Sequence, residues 1–261
     1  MSFFNLFAGY STFSILALGF MAFTAGFIDS IVGGGGLIQL PALLINLPNT
    51  PIPTVLGTNK IAGFSGTSVA AYHYARRQKF NYKLLITISI FSAIASYLGV
   101  LSLSYINVST LKPMILVILI VIAIYSFVKK DLGSVQTKAL SLQKQILFGS
   151  LIGIAVGFYD GFFGPATGSF LLLGFVVVLG FDFVTASAYS KIINGVTNIS
   201  ALIVFIRQGN YVLEFAILMS ACNIIGSFIG SRLALKRGNN FVRVFFLVIV
   251  AIMIVTATTF S

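Results

Sequence analysis

Tryptophan is absent from this chain of 261 residues, and cysteine and histidine occur once each. A single cysteine, Cys222, excludes a disulfide framework and a thiolate metal site, and a single histidine, His73, excludes a histidine cluster. No metal and no cofactor are expected. Charge is scarce too: Asp and Glu together number five, and charged residues make up 8% of the chain. A soluble domain carries roughly a quarter. Hydrophobic residues reach 58%, with a mean hydropathy of +1.04. A surface so poor in charge cannot be kept in water, so the expected solvent is lipid. Soluble-enzyme chemistry has no foothold, because the lone Cys and His have no triad context. The GGGGL run at 33–37 also lacks the lysine of a phosphate loop. The first 28 residues hold no charged side chain, hence no basic n-region and no expected cleaved signal peptide.

What charge there is carries one sign, +11 net, and its position matters more than its sum. Basic residues cluster between apolar runs: Arg76, Arg77, Lys79 and Lys83; Lys129, Lys130, Lys138 and Lys144; Arg232, Lys236, Arg237 and Arg243. Such clusters mark cytoplasmic loops under the positive-inside rule, so no nucleic-acid partner is expected.

The chain also repeats itself. GFIDSIVG at 26–33 matches GFYDGFFG at 157–164, an offset of 131. Without a gap, that offset pairs Thr54 with Thr185, Lys60 with Lys191, Arg76 with Arg207, Ser96 with Ser227 and Gly99 with Gly230. It also pairs Leu116-Val117-Ile118 with Leu247-Val248-Ile249. This reads as a tandem duplication: a first membrane repeat over 1–128, a basic cytoplasmic linker over 129–144, and a second repeat over 145–261.

Each half divides into five apolar segments without strand-like alternation, so the expected fold is an all-α integral membrane protein. They lie near 10–32, 35–47, 58–76, 83–105 and 109–128, then near 145–163, 167–181, 187–206, 212–235 and 241–260. The second of each half is short and borders a glycine-rich break. If it crosses the membrane, all twelve clustered Lys/Arg fall on one face, against Lys112 and Arg207 on the other. If it re-enters, the Arg232–Arg243 cluster changes sides. Charge thus favours crossing. Five crossings per half would make the repeats inverted, with both termini outside, an architecture common in transporters with midplane substrate sites. The short segments count against it, since residues 36–47 reach ~18 Å of a ~30 Å core.

Two of the five acidic residues, Asp29 and Asp160, are repeat equivalents beside the glycine breaks. A carboxylate within a membrane costs several kcal/mol and is by default a functional candidate. It could couple protons or partner a buried lysine; it could equally sit at an interface or cap the next helix. Lys60 and Lys191 are the second equivalent pair. Each falls in the first turn of its predicted helix, where a cation opposes the helix dipole and calls for a nearby negative charge. Snorkelling to an interface is the alternative.

The breaks, with Gly34, Gly35 and Gly36 in one and Thr167 and Gly168 in the other, leave backbone N–H groups free for an anion. Close helix packing would use the same glycines. Thr58 and Asn59 precede Lys60; Asn194 and Asn198 share one helix face with Lys191. His73 near Arg76 suits an interface better than a proton relay.

GFIDSIVGGGGLIQLPALL at 26–44, GTNK at 57–60 and GFYDGFFGPATGSFLLLGF at 157–175 resemble the sulfite exporter TauE/SafE family of bacterial membrane transporters, and the likeness covers nearly the whole chain. The second half departs, with AYSK where the first has GTNK. The resemblance implies plasma-membrane passage of small anionic sulfur compounds such as sulfite or organosulfonates, linked to an ion gradient. Lys60, Lys191, Asn59, Thr58 and the glycine turns would then bind the anion, with Asn194 and Asn198 lining its path. Asp29 and Asp160 would couple protons or hold the lysines. A passive anion channel, a carrier of an unrelated small anion and a homo-oligomer stay open, whereas an assembly subunit would need no polar interior.

Overall fold

The computed structural model describes Phe7, residues 10–103 and residues 140–259, and the described residues are helical without strands. In the first half α1 spans Thr12–Val32, α2 Gly36–Asn46, α3 Ile52–Ala75 and α4 Tyr82–Ser102. In the second, α5 spans Leu142–Phe162, α6 Thr167–Gly174, α7 Phe183–Arg207 and α8 Leu213–Thr259. A π-helical turn, Phe175–Leu179, extends α6, and α8 breaks at Gly238 (φ 73°, ψ −162°). That break separates the predicted segments at 212–235 and 241–260. The segment expected at 109–128 and the linker as far as residue 139 lie outside the described residues.

Among the described residues, five helices are long and apolar enough to cross a membrane: α1, α4, α5, α7 and the Leu213–Val248 part of α8. Their outward faces carry large apolar side chains at helical spacing, as in Phe13, Leu16 and Phe20 on α1 and Ile86, Ile90 and Ile94 on α4. Exposed stripes of this size belong against lipid rather than water. The polar groups point the other way: Gln39, Asn59, Lys60, Asp160, Lys191 and Asn194 are all buried. α3 is as long as the spanning helices but too polar to join them, and it lies inside the bundle between α7 and α8.

The two halves interleave. α1 packs along α8 and α4 along α5, so the first helix of each half lies on the fourth of the other. Glycine makes these contacts close: a Cβ on Gly157 would lie 2.6 Å from the Ser92 carbonyl, and one on Gly26 would meet the Asn223 backbone. Small residues at such crossings are how membrane helices gain packing where lipid supplies no hydrophobic drive. α3 and α7, the third helices, meet at the centre.

α3 and α7 begin earlier than the apolar pattern suggests, at residues 52 and 183 rather than 58 and 187. Pro53 sits in the first turn of α3, where its missing N–H is harmless. Asp182 caps α7, accepting from Thr185 N–H at 2.9 Å and from the Thr185 hydroxyl at 2.6 Å. Lys60 and Lys191 therefore lie in the third turn of their helices, and the expected first-turn placement is corrected. The dipole conflict falls on the aspartates instead: Asp29 and Asp160 occupy the last turns of α1 and α5, the ends that disfavour anions.

Candidate functional site

Asp29 and Asp160 are carried to the centre by the glycine turns that follow them. Gly33 and Gly34 in one turn and Gly164 in the other have φ of +84°, +92° and +97°, a region that side chains rarely adopt. The turns abut, since a Cβ on Gly168 would lie 2.8 Å from Gly33 Cα. α7 holds them through Ser190 Oγ, donating to Gly168 O at 2.7 Å, and Ser187 Oγ, donating to Ile31 O at 3.1 Å. Ala166 sits in the left-handed region (φ 65°, ψ 5°), strain of the kind that collects at functional sites.

Each lysine then meets the aspartate of the opposite half. Lys60 Nζ lies 2.6 Å from Asp160 Oδ1, and Lys191 Nζ lies 3.0 Å from Asp29 Oδ2. Because Asp160 is the repeat equivalent of Asp29 and Lys191 of Lys60, the pairs are crossed copies of one interaction. Both lysines are buried, 4% and 1% exposed, so neither snorkels. The glycines make room for the ammonium groups: a Cβ at Gly164 would lie 3.1 Å from Lys60 Nζ, and one at Gly168 3.3 Å from Lys191 Nζ.

The surroundings of the two carboxylates differ. Asp29 also accepts from the Thr67 hydroxyl (3.2 Å) and, weakly, from Gly35 N–H (3.4 Å), so its capping role exists beside its ion pair. Its side chain is 16% exposed. Asp160 is sealed at 2%, and the Thr167 hydroxyl lies 2.7 Å from the same Oδ1 that Lys60 holds. Its Oδ2 is buried without any donor.

Between the pairs lies a cavity of about 40 Å³. At ~10–15 Å³ per water it admits roughly three waters. Most sequence-derived candidates line it: Asp29, Gly35, Gly36, Asn59 and Lys60 from the first half, and Asp160, Thr167, Gly168, Asn194 and Asn198 from the second. Lys191 stands behind Asp29. Two candidates fall elsewhere. Thr58 turns to the start of α8, donating to Thr54 O and accepting from Val212 N–H, and Gly34 packs toward Ser169. Two amides that the repeat does not mark also line the cavity. Asn223 donates to Gln39 Oε1 at 2.7 Å, and Gln39 donates to Asn59 O at 3.2 Å. Each is a polar residue inside an apolar helix, which is the signal the sequence offers; neither recurs at the offset, where Phe170 and Ser92 stand.

Between the end of α3 and the part of α8 just before its break, a wider, open recess of about 1,080 Å³ is lined by Arg76, Arg77, Arg232 and Lys236, with His73 at its wall. Arg232 stacks 3.9 Å over the Phe228 ring, and His73 Nδ1 is 2.7 Å from Ser231 Oγ. No carboxylate among the described residues lines it.

The family profile described as Sulfite exporter TauE/SafE matches residues 18–257. The chain belongs to the sulfite exporter TauE/SafE family. Among its relatives is a probable membrane transporter protein, ORF9, of Sinorhizobium sp., 39% identical over 88% of this chain and 87% of that one. Another is a probable membrane transporter protein of Haemophilus influenzae, 34% identical over 85% and 86%. The probable membrane transporter protein YfcA of Escherichia coli K12 is 34% identical over 90% and 86%. No solved structure matches the chain. As a member of this family the chain is a multi-pass membrane transporter and not an enzyme.

Proposed function

We propose that the chain is a secondary transporter that moves small anionic sulfur compounds, sulfite or an organosulfonate, across the bacterial plasma membrane, coupled to an ion gradient. The observation that carries this reading is the pair of crossed, buried Asp–Lys contacts around a small amide-lined cavity. A buried ion pair is a weak stabiliser, because desolvation offsets most of its Coulomb gain. Two of them, with glycines cut away to admit the ammonium groups, suit a site whose lysines are lent to a substrate.

An oxyanion would enter by exchanging places with a carboxylate on Lys60 or Lys191, while Asn59, Asn194 and Asn198 supply amide donors. Arginine and lysine around the outer recess would draw anions toward this end of α3 from solution, an effect that salt weakens.

The interleaved packing, with α1 on α8 and α4 on α5, supports the reading of two inverted repeats. In that arrangement the basic loops face the cytoplasm, both termini face outward, and each short helix completes a crossing with its following link. Rocking of one repeat against the other would then expose the central cavity alternately to the two sides.

The test is uptake of radiolabelled sulfite and a panel of sulfonates into proteoliposomes, with and without an imposed pH gradient, for wild type and Lys60→Ala. A coupled carrier gives gradient-dependent flux that collapses in the variant. Flux indifferent to the gradient would make the protein a channel, and no flux of any of these anions would discard the substrate class.

A further inference from the structure

The two ion pairs are equivalent in sequence but not in chemistry, and the difference lies in one oxygen atom. Asp29 has donors on both oxygens: Lys191 and Thr67 on Oδ2, and Gly35 N–H on Oδ1. Asp160 has both its neighbours, Lys60 and Thr167, on Oδ1, and its Oδ2 is buried with none. A buried carboxylate oxygen without a donor is costly while the group is charged. Asn59 Oδ1, a second buried acceptor without a donor, belongs to the same cavity lining.

Charge balance points the same way. The formal charges of Lys60, Lys191, Asp29 and Asp160 cancel, so an anion entering the cavity alone leaves an uncompensated negative charge inside the membrane. A proton entering with it removes one negative charge and releases one lysine.

We infer that Asp160 is the proton-carrying group of this transporter, taking the proton on Oδ2 and thereby releasing Lys60 to the anion, while Asp29 stays ionised and anchors Lys191. The inference rests on the anion-carrier reading and divides its two carboxylates by role. The proton comes from water on one side of the membrane and forms one O–H bond at Oδ2. Lys60 keeps its three N–H protons and loses only its counter-ion. Asn59, whose Oδ1 also lacks a donor, is among the residues of the same cavity lining able to accept the new O–H. On release the proton leaves Oδ2 and Lys60 returns to Oδ1. Because the two events favour each other, protonation and anion binding are reciprocally linked.

Among the described residues, the charged and titratable groups facing Asp160 are few. α3 brings Lys60, α5 brings the adjacent Tyr159, whose hydroxyl donates to Pro165 O at 2.7 Å, and the Asp29–Lys191 pair lies across the cavity on α1 and α7. α6 brings only Thr167 beside it, and α4 packs against α5 through Ser92 and Ser96.

With only five acidic side chains in the chain, infrared difference spectroscopy between acid and neutral pH can assign the proton directly. The reconstituted protein is measured without any anion, and the band sought is the C=O stretch of an unsolvated carboxylic acid. The expected result is one such band in wild type, retained in Asp29→Asn, shifted in Asp160→Glu and lost in Asp160→Asn. The same samples are tested for accumulation of radiolabelled methanesulfonate, whose charge does not change with pH, under an imposed pH gradient. Asp160→Glu keeps gradient-driven accumulation, and Asp160→Asn loses it, with slowed exchange that no longer responds to pH.

A band that survives Asp160→Asn and vanishes in Asp29→Asn would overturn the inference, as would the absence of any such band in wild type. If Asp160→Asn does not fold, the shift in Asp160→Glu decides. Failure of the anion-carrier reading looks different: the Asp160 band in place, and no flux of methanesulfonate or sulfite.

Discussion

The Lys60–Asp160 and Lys191–Asp29 pairs stand at equivalent positions of the 131-residue offset, yet one carboxylate is sealed and satisfied on a single oxygen while the other is partly open and supported on both. One frame occurs twice at the 131-residue offset, and different side chains around it make two environments. Thr67 in the first half stands where Asn198 stands in the second, and Gly36 where Thr167 stands. Thr67 holds the carboxylate of its own half, Asp29, whereas Thr167 shares an oxygen already taken by Lys60. A transporter that must take up and give back a proton gains from such inequality, because two identical carboxylates would compete for one task.

The sharpest break in the comparison is removal of each lysine. Lys60→Met strands Asp160 in a sealed site and is expected to lower the stability of the purified protein by about 3–5 kcal/mol at neutral pH. Lys191→Met leaves Asp29 with Thr67, Gly35 N–H and some solvent, so about 1–3 kcal/mol is expected. Detergent-solubilised unfolding of both variants over a pH series measures the difference; equal losses would erase the asymmetry. The effect expected of Gly164→Ala stays below that of Lys60→Met. Its φ of +97° and the 3.1 Å approach of Lys60 Nζ predict a loss of about 1–3 kcal/mol by the same unfolding measurement. That loss should shrink once Lys60 is itself shortened to Met, because the steric part goes with the ammonium.

Much of this architecture is legible in the amino-acid sequence. Apolar runs place the described helices to within a few residues, the early starts of α3 and α7 excepted, and the 131-residue offset singles out both aspartates and both lysines. The offset gives equivalence but not contact, so it does not tell that each lysine crosses to the other half. The early starts of α3 and α7 are hidden because Pro51 and Pro53 resemble loop residues, although a proline in a first helical turn is tolerated, and because Asp182 caps α7 ahead of its apolar run. Gln39 and Asn223 escape because a search for repeated polar residues passes over those that occur in one half alone. Thr58 joins the candidates only by its proximity to Lys60, but on a helix a residue two positions away faces elsewhere, here toward Val212.

The central claim is that the site is built by ion pairs crossing between the halves, and a set of double variants tests it most directly. Stability is measured for Lys60→Met with Asp160→Leu and for Lys191→Met with Asp29→Leu, beside the four single changes. The same-half combinations, Lys60→Met with Asp29→Leu and Lys191→Met with Asp160→Leu, complete the set. Crossed doubles should recover most of what their single variants lose, because no buried charge is left without its partner, while same-half doubles should lose about the sum of their singles. Recovery in the same-half doubles with additive losses in the crossed ones would contradict it.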